Sequence, residues 1–303
     1  MLSLATEHYP SRNIHEPVLS RRLEPVIWGS EAEQPRWVLE DMAQQYENDG
    51  FLVLPELLPP AKVLALTNEM QDLLKRFQGS NEDFVVHEPG GSAVRSIFDL
   101  PGVSKIFSQL TRHPKLLEFS RYILGSDVYL HQTRLNYKPG FEGKEFYWHS
   151  DFETWHVEDG MPNMRAMSCI VLLTENNAFN GPLMVIPGSH RTYVGCVGET
   201  PEENYKQSLL KQTTGTPAKE ALSMLVKEAG GLRSITGPAG TVAFFDSNLL
   251  HGSTANITPY PRANAFLVYN SALNHLDVPL NGLRPRPEHI AHRQRALTLN
   301  PLL

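Results

Sequence analysis

The spacing of apolar residues changes period along the chain. In the first part they recur at helical intervals. Pro35–Asn48 reads as a helix, and Ala61–Phe77, opened by Pro59-Pro60, carries Leu64, Leu66, Met70, Leu73 and Leu74 on one stripe. Val103–Leu124 is a further helical stretch around the His113-Pro114 turn, and Phe51–Leu54 reads as a strand stopped by Pro55. After Gly125 the period falls to two. Val128–Lys138, Arg165–Thr174, Leu183–Ile186, Gly240–Phe245 and Asn264–Ser271 are strand-like and separated by Gly, Pro and Asn. Helices first and many short strands later predict a mainly β fold with helices packed on its outside. The first thirty residues hold Pro10, Pro17 and Pro25 and several arginines, and read as an extended arm ordered only by docking. Glu199–Gly231 interrupts the strands with a charged, helix-prone insertion, expected to be a surface excursion and a lid. The chain is therefore expected to form one domain over 1–303: arm and helices to 125, a β core over 126–275, and the insertion within 195–231.

Composition narrows the function classes. Hydrophobic residues make up 41% and charged residues 20%, so a chain of 303 residues buries a large core without disulfides. Its two cysteines, Cys169 and Cys196, are too few for a disulfide framework or a thiolate zinc site. A net charge of -6 argues against nucleic-acid binding. The longest apolar run, Ile170–Leu173, is strand-sized, so no membrane association is expected. Met1–Arg12 shows no apolar signal core, and a reducing cytoplasm is the expected compartment.

The candidate chemistry is metal chemistry. In Trp148-His149-Ser150-Asp151 an imidazole and a carboxylate stand two residues apart, able to grip one metal from a strand end. A third ligand is offered by His190 or His251. His251 is preferred because it follows the strand-like Thr241–Phe245 and precedes Arg262 by eleven residues. Two histidines and one carboxylate form the facial set of non-haem iron(II) oxygenases. His156 and His190 are expected to be hydrogen-bonded structural residues. The even face of Val128–Lys138 reads Val128, Leu130, Gln132, Arg134, Asn136, Lys138, polar over four successive positions. It is either the solvent side or the lining of an internal cavity. Arg262, Asn264, Phe266 and Val268 share one face of another strand, which suits a barrel interior with an anion at one end.

At these residues the chain resembles the phytanoyl-CoA dioxygenase family of iron(II)/2-oxoglutarate oxygenases. More narrowly, Phe146-Tyr147-Trp148-His149-Ser150-Asp151-Phe152-Glu153-Thr154-Trp155-His156-Val157-Glu158-Asp159-Gly160 resembles the signature of ectoine hydroxylases. The likeness extends to Pro25–Trp28, His131–Gly140, Asn180–Arg191 and His251–Asn270, and is less clear over Thr200–Ala229. It implies a double-stranded β-helix (jelly-roll, cupin-like) core with Fe(II) held by His149, Asp151 and His251. It maps the 2-oxoglutarate pocket to Asn136, Trp148, Ser168, Ser253 and Arg262, and the ectoine pocket to Gln132, Thr154, Trp155, Phe245, Asn264 and Phe266. Trp148, Thr154, Trp155 and Ser253 are expected in loops flanking the ligands. The implied reaction hydroxylates ectoine to the osmolyte 5-hydroxyectoine, using O2 and 2-oxoglutarate and releasing succinate and CO2. The resemblance further implies a homodimer. Two other readings are a 2-oxoglutarate hydroxylase of another small zwitterion, and a cupin-like metal protein of different chemistry.

Overall fold

The computed structural model describes residues 8–293 and 298–301. Its strands are β1 (Val18–Arg21), β2 (Phe51–Leu54), β3 (Val85–His87), β4 (Val94–Phe98), β5 (Val128–Lys138), β6 (Phe146–His149) and β7 (Ala166–Leu172). They continue with β8 (Leu183–Val185), β9 (Thr192–Gly195), β10 (Arg233–Ile235), β11 (Val242–Asp246), β12 (His251–Ser253) and β13 (Arg262–Ser271). The helices are α1 (Glu40–Asp49), α2 (Pro60–Phe77), α3 (Leu100–Val103), α4 (Lys105–Leu110), α5 (Pro114–Leu124), α6 (Asp151–Asp159), α7 (Tyr205–Ser208) and α8 (Lys219–Glu228).

A seven-stranded sheet, in order β2-β11-β7-β13-β5-β4-β3, faces a four-stranded sheet, β10-β8-β12-β6. Pairing is antiparallel throughout both sheets. This is the jelly-roll that the family resemblance implies, and the helices outside it are those the change of period predicts. Alternation of side chains explains the layers. Along β13, Ala263, Ala265, Leu267 and Tyr269 join the core against the helices, while Phe266 turns inward. The inward layer packs Phe51, Ile170, Leu172, Ala243, Phe245 and Phe266 of the large sheet on Leu183, Val185 and Ile235 of the small one.

Four features depart from the sequence reading. The even face of β5 is not continuous. Opposite Val268/Tyr269 the pairing slips: Gln132 faces Val268 but Leu130 faces Tyr269, leaving His131 as the extra residue of a bulge. Leu130 and Val128 therefore pack with the helices, and Gln132, Arg134 and Asn136 point into the barrel. Second, the arm docks, as its order required, but it does so through a strand that the sequence reading did not mark, β1, paired with β9. Third, Thr154 and Trp155 lie in helix α6 rather than a loop, and Trp148 and Ser253 lie in strands. Ser150 caps α6 by accepting from Glu153 N (3.4 Å), and Gly160 closes it at φ +72, where a Cβ would stand 2.3 Å from Asp277 O. Every residue of α6 is buried, so it carries no amphipathic stripe for periodicity to detect. Fourth, the second half of the insertion is no surface excursion: Ala221, Leu222 and Leu225 of α8 cover Ile186, Val194 and Leu250. Among the described residues no helix is long and apolar enough to cross a membrane.

Candidate active site

Strands β6 and β12 are neighbours, and their register puts His251 directly opposite His149. The two ring centroids are 4.2 Å apart. Each imidazole is oriented by its own backbone: His149 Nδ1 lies 2.8 Å from Tyr147 O and His251 Nδ1 lies 2.9 Å from Leu249 O. A carbonyl only accepts, so both Nδ1 atoms carry the proton and both Nε2 atoms present a bare lone pair. Asp151, at the first turn of α6, completes the group, with Oδ1 3.7 Å from His149 Nε2 and 3.9 Å from His251 Nε2. The ligand atoms of the three residues lie within 4.8 Å of one another, and all three side chains are buried. Ser168 donates to the other Asp151 oxygen at 3.2 Å.

Burial, reinforced by His251, pushes His149 down to about 3, so its ring is neutral. Burial favours a neutral Asp151, but His251, His149 and Arg134 outweigh it and hold the carboxylate below its usual range. Two neutral imidazoles and one carboxylate sharing a point fit a first-row divalent metal, iron(II) included.

From this point a cavity opens between the sheets, lined by Gln132, Asn136, Thr154, Trp155, Ser253, Arg262 and Phe266 of the expected set. Arg262 is buried; its Nη1 donates to Asn136 Oδ1 (3.1 Å) and its Nε to Gly181 O (3.1 Å). Burial, Arg95 and Arg134 lower it to about 10, and no described carboxylate pairs with it. Asn264 lies behind the wall rather than on it. With both amide atoms satisfied, its Oδ1 accepts from Arg262 Nη1 (3.0 Å) and Asn176 Nδ2 (3.2 Å). Phe245 backs His251, with ring centroids 5.1 Å apart. Trp148 packs with the apolar cluster beneath α8. His190 Nε2 donates to Glu47 O (3.1 Å) and His156 Nδ1 to Met161 O (2.6 Å), both away from the metal group.

Several lining residues were not singled out from the sequence. The Arg134 guanidinium sits 4.5 Å from the Phe266 ring centroid and donates to Gln132 Oε1 (2.5 Å). Arg286, 15 residues beyond the end of β13, reaches the cavity with a bidentate pair to Asp159 (2.8 and 2.5 Å). Arg95 is neutralised by Glu88 at 2.9 Å. Ser208, Leu209 and Gln212 bring the insertion to the cavity mouth. The polar face of β5 was the available signal for Arg134; nothing local in the sequence marks the others.

Comparison with known proteins agrees with this geometry. The family model of phytanoyl-CoA dioxygenase matches residues 46–264. The chain belongs to this family. It is 52% identical over 302 residues to an ectoine dioxygenase of Bordetella bronchiseptica, covering 100% of this chain and 97% of that protein. It is 48% identical over 288 residues to the ectoine dioxygenase of Sphingopyxis alaskensis, covering 94% and 92%. The crystal structure of EctD from S. alaskensis with 2-oxoglutarate and 5-hydroxyectoine superposes with a TM-score of 0.87 at 43% identity, over 97% of each chain. The same enzyme with bound Fe gives 0.86 at 42% identity over 98% of each.

Proposed function

We propose that this chain is an iron(II)- and 2-oxoglutarate-dependent ectoine dioxygenase, converting ectoine to 5-hydroxyectoine. The observation that carries the reading is the coincidence of the buried His149–Asp151–His251 group with a cavity bearing unpaired cations, in a chain similar over its whole length to ectoine dioxygenases. Bound there, iron with 2-oxoglutarate and O2 supplies oxidation of an unactivated C–H to C–OH, coupled to decarboxylation to succinate and CO2. The chain's residues bind, orient and exclude water.

His149, Asp151 and His251 are assigned as the metal ligands. Arg262, aligned by Asn136 and Asn264, is assigned to the distal carboxylate of 2-oxoglutarate, since its planar fork suits a bidentate partner. Ser253 on the same wall adds a hydroxyl, while Ser168 orients Asp151. Ectoine carries a delocalised cation and a carboxylate. Trp155 and Phe266 offer π faces to the cation, Phe245 fixes His251 behind them, and Gln132 and Thr154 offer hydrogen bonds. Arg134 is the charge available to the substrate carboxylate. The segment carrying Ser208, Leu209 and Gln212 is assigned as a lid, a cytoplasmic location agrees with the buried free thiols Cys169 and Cys196, and a homodimer completes the proposal.

The test is a reaction with iron(II), 2-oxoglutarate, 18O2 and a panel of compatible solutes. Ectoine should gain one labelled oxygen with one succinate per turnover. Labelling of a different solute, with none on ectoine, would reject ectoine and keep the oxygenase; no substrate-stimulated succinate from any of them would reject both.

A further inference from the structure

Asp151 and His251 stand far apart in the chain, yet one short connection holds both. It runs from β11 to β12 over residues 247–250. On the Asp151 side it receives hydrogen bonds from the two residues that flank this ligand. Phe152 N donates to Ser247 O (2.8 Å), and Ser150 Oγ donates to Asn248 Oδ1 (3.0 Å). On the His251 side Leu249 O accepts from the imidazole Nδ1 (2.9 Å). The same four residues therefore fix the chain on either side of one ligand and the ring plane of the other.

Asn248 gives this connection its polarity. It is buried, and its Nδ2 donates to His190 O (3.0 Å) and Thr192 O (3.1 Å). A carbonyl only accepts, so the NH2 end of the amide is pinned there and Oδ1 is turned to Ser150. Ser150 must then give its proton to Asn248, while its lone pair accepts from Glu153 N as the cap of α6. The connection is itself anchored: Asn248 N donates to Asp246 Oδ1 (2.8 Å), and Arg22 of the arm donates to Asp246 Oδ2 (2.7 Å). Neither Ser150 nor Asn248 lines the cavity, so neither is there to meet substrate or cosubstrate.

We propose that Asn248 is a positioning residue for the metal centre: through the Ser150 hydroxyl it sets the place of Asp151 relative to His251, so that the ligand atoms converge without the ion having to gather them. The inference rests on the assignment of His149, Asp151 and His251 as metal ligands. Groups that orient ligands from behind govern metal affinity nearly as much as the ligands do, and losing one typically weakens binding about 10- to 100-fold.

The test titrates cobalt(II), an oxygen-stable stand-in for iron(II), into metal-free wild type, Asn248→Leu, Ser150→Ala and the double variant. The visible cobalt absorption reports both occupancy and ligand geometry, and melting of each metal-free protein is followed separately. Each single variant should bind cobalt roughly 10- to 100-fold more weakly and show altered cobalt bands. The double variant should lose little more than the worse single one, because both substitutions break the same link. Wild-type affinity and bands in Asn248→Leu, with only a lower melting temperature, would make Asn248 a structural residue and overturn the proposal. Strictly additive losses would overturn it too. Should Asn248→Leu fail to fold, the smaller Asn248→Ala takes its place with the same outcomes. A wild-type protein that binds no cobalt, or binds it equally well after His149→Ala, overturns the ligand assignment and this inference with it.

Discussion

His190 and His251 are both buried and both near the sheet that carries the metal group, but they spend their nitrogens differently. His251 gives Nδ1–H to Leu249 O and keeps Nε2 bare. His190 gives Nε2–H to Glu47 O, and its ring lies so close over Gly50 that a Cβ there would stand 2.4 Å from Nδ1. Replacing His149, Asp151 or His251 by Ala should abolish activity and iron retention, measured as iron content after gel filtration. His190→Ala should keep the iron and lower the melting temperature, because it empties the space that the ring fills over Gly50, while Glu47 O keeps its bond from Arg191 Nη2 (2.7 Å). Arg262→Ala should raise the 2-oxoglutarate requirement by about 2–5 kcal/mol of lost binding, and Lys should restore little, lacking the fork. The ligands were legible because H-x-D is local in sequence and His251 follows a strand. Asn264 was on the correct strand, but its service to Arg262 rather than to the cavity depends on Asn176, from the β7–β8 connection, which no spacing reveals.

Helix α6 shows how an element is fixed from outside itself. Its residues are buried on every side, and three of its acids are held by distant cations. Arg12, from the arm, reaches Glu153 by two bonds of 2.9 and 2.8 Å, Glu158 at 2.5 Å, and Thr200 of the insertion at 3.1 Å. The arm thereby ties the helix bearing Asp151, Thr154 and Trp155 to the base of the insertion. Arg12→Met leaves two buried carboxylates unpaired and should destabilise the fold by about 3–5 kcal/mol; adding Glu153→Gln and Glu158→Gln should recover part of it, read by thermal melting. Such a tie also anchors one end of the segment at the cavity mouth. Iron, 2-oxoglutarate and substrate together should slow proteolysis within Glu199–Thr216, whereas equal cleavage in free and loaded protein would make it an ordinary loop. Docking of the arm was conditional in the sequence. The β5 bulge was invisible there, because an extra residue changes the phase of a strand without changing its composition.

At the scale of the molecule, a net charge of -6 surrounds a cavity lined by Arg95, Arg134, Arg262 and Arg286, with Asp151 as the lining acid. Average charge therefore hid the sign of the site. Helices outside a two-sheet barrel were legible from the change of period, but the neighbours β2–β11 and β1–β9 were not, since strand order is set by long-range closure. Long-range charge pairs also govern how the whole fold responds to acid. Burial alone would raise the Asp159 carboxyl, but Arg286, by charge and two hydrogen bonds, and then His131 pull it from 3.8 to about 2. A carboxyl whose folded value is depressed contributes stability that is complete above its unfolded value and disappears as pH falls through the folded one. For Asp159 that window runs from 3.8 down to about 2, and the contribution is on the order of 2 kcal/mol. Arg286→Met reverses the sign. Asp159 then faces burial without its main partner, so its carboxyl rises above the unfolded value and destabilises the protein at neutral pH, with relief as it protonates in acid. The difference in melting temperature between wild type and Arg286→Met, followed in metal-free protein from neutral pH to pH 3, should be large at neutral pH and shrink as the pH falls. A difference that stays constant over that range would show that the Asp159–Arg286 pair does not set the acid response, and that Arg286 contributes through packing alone.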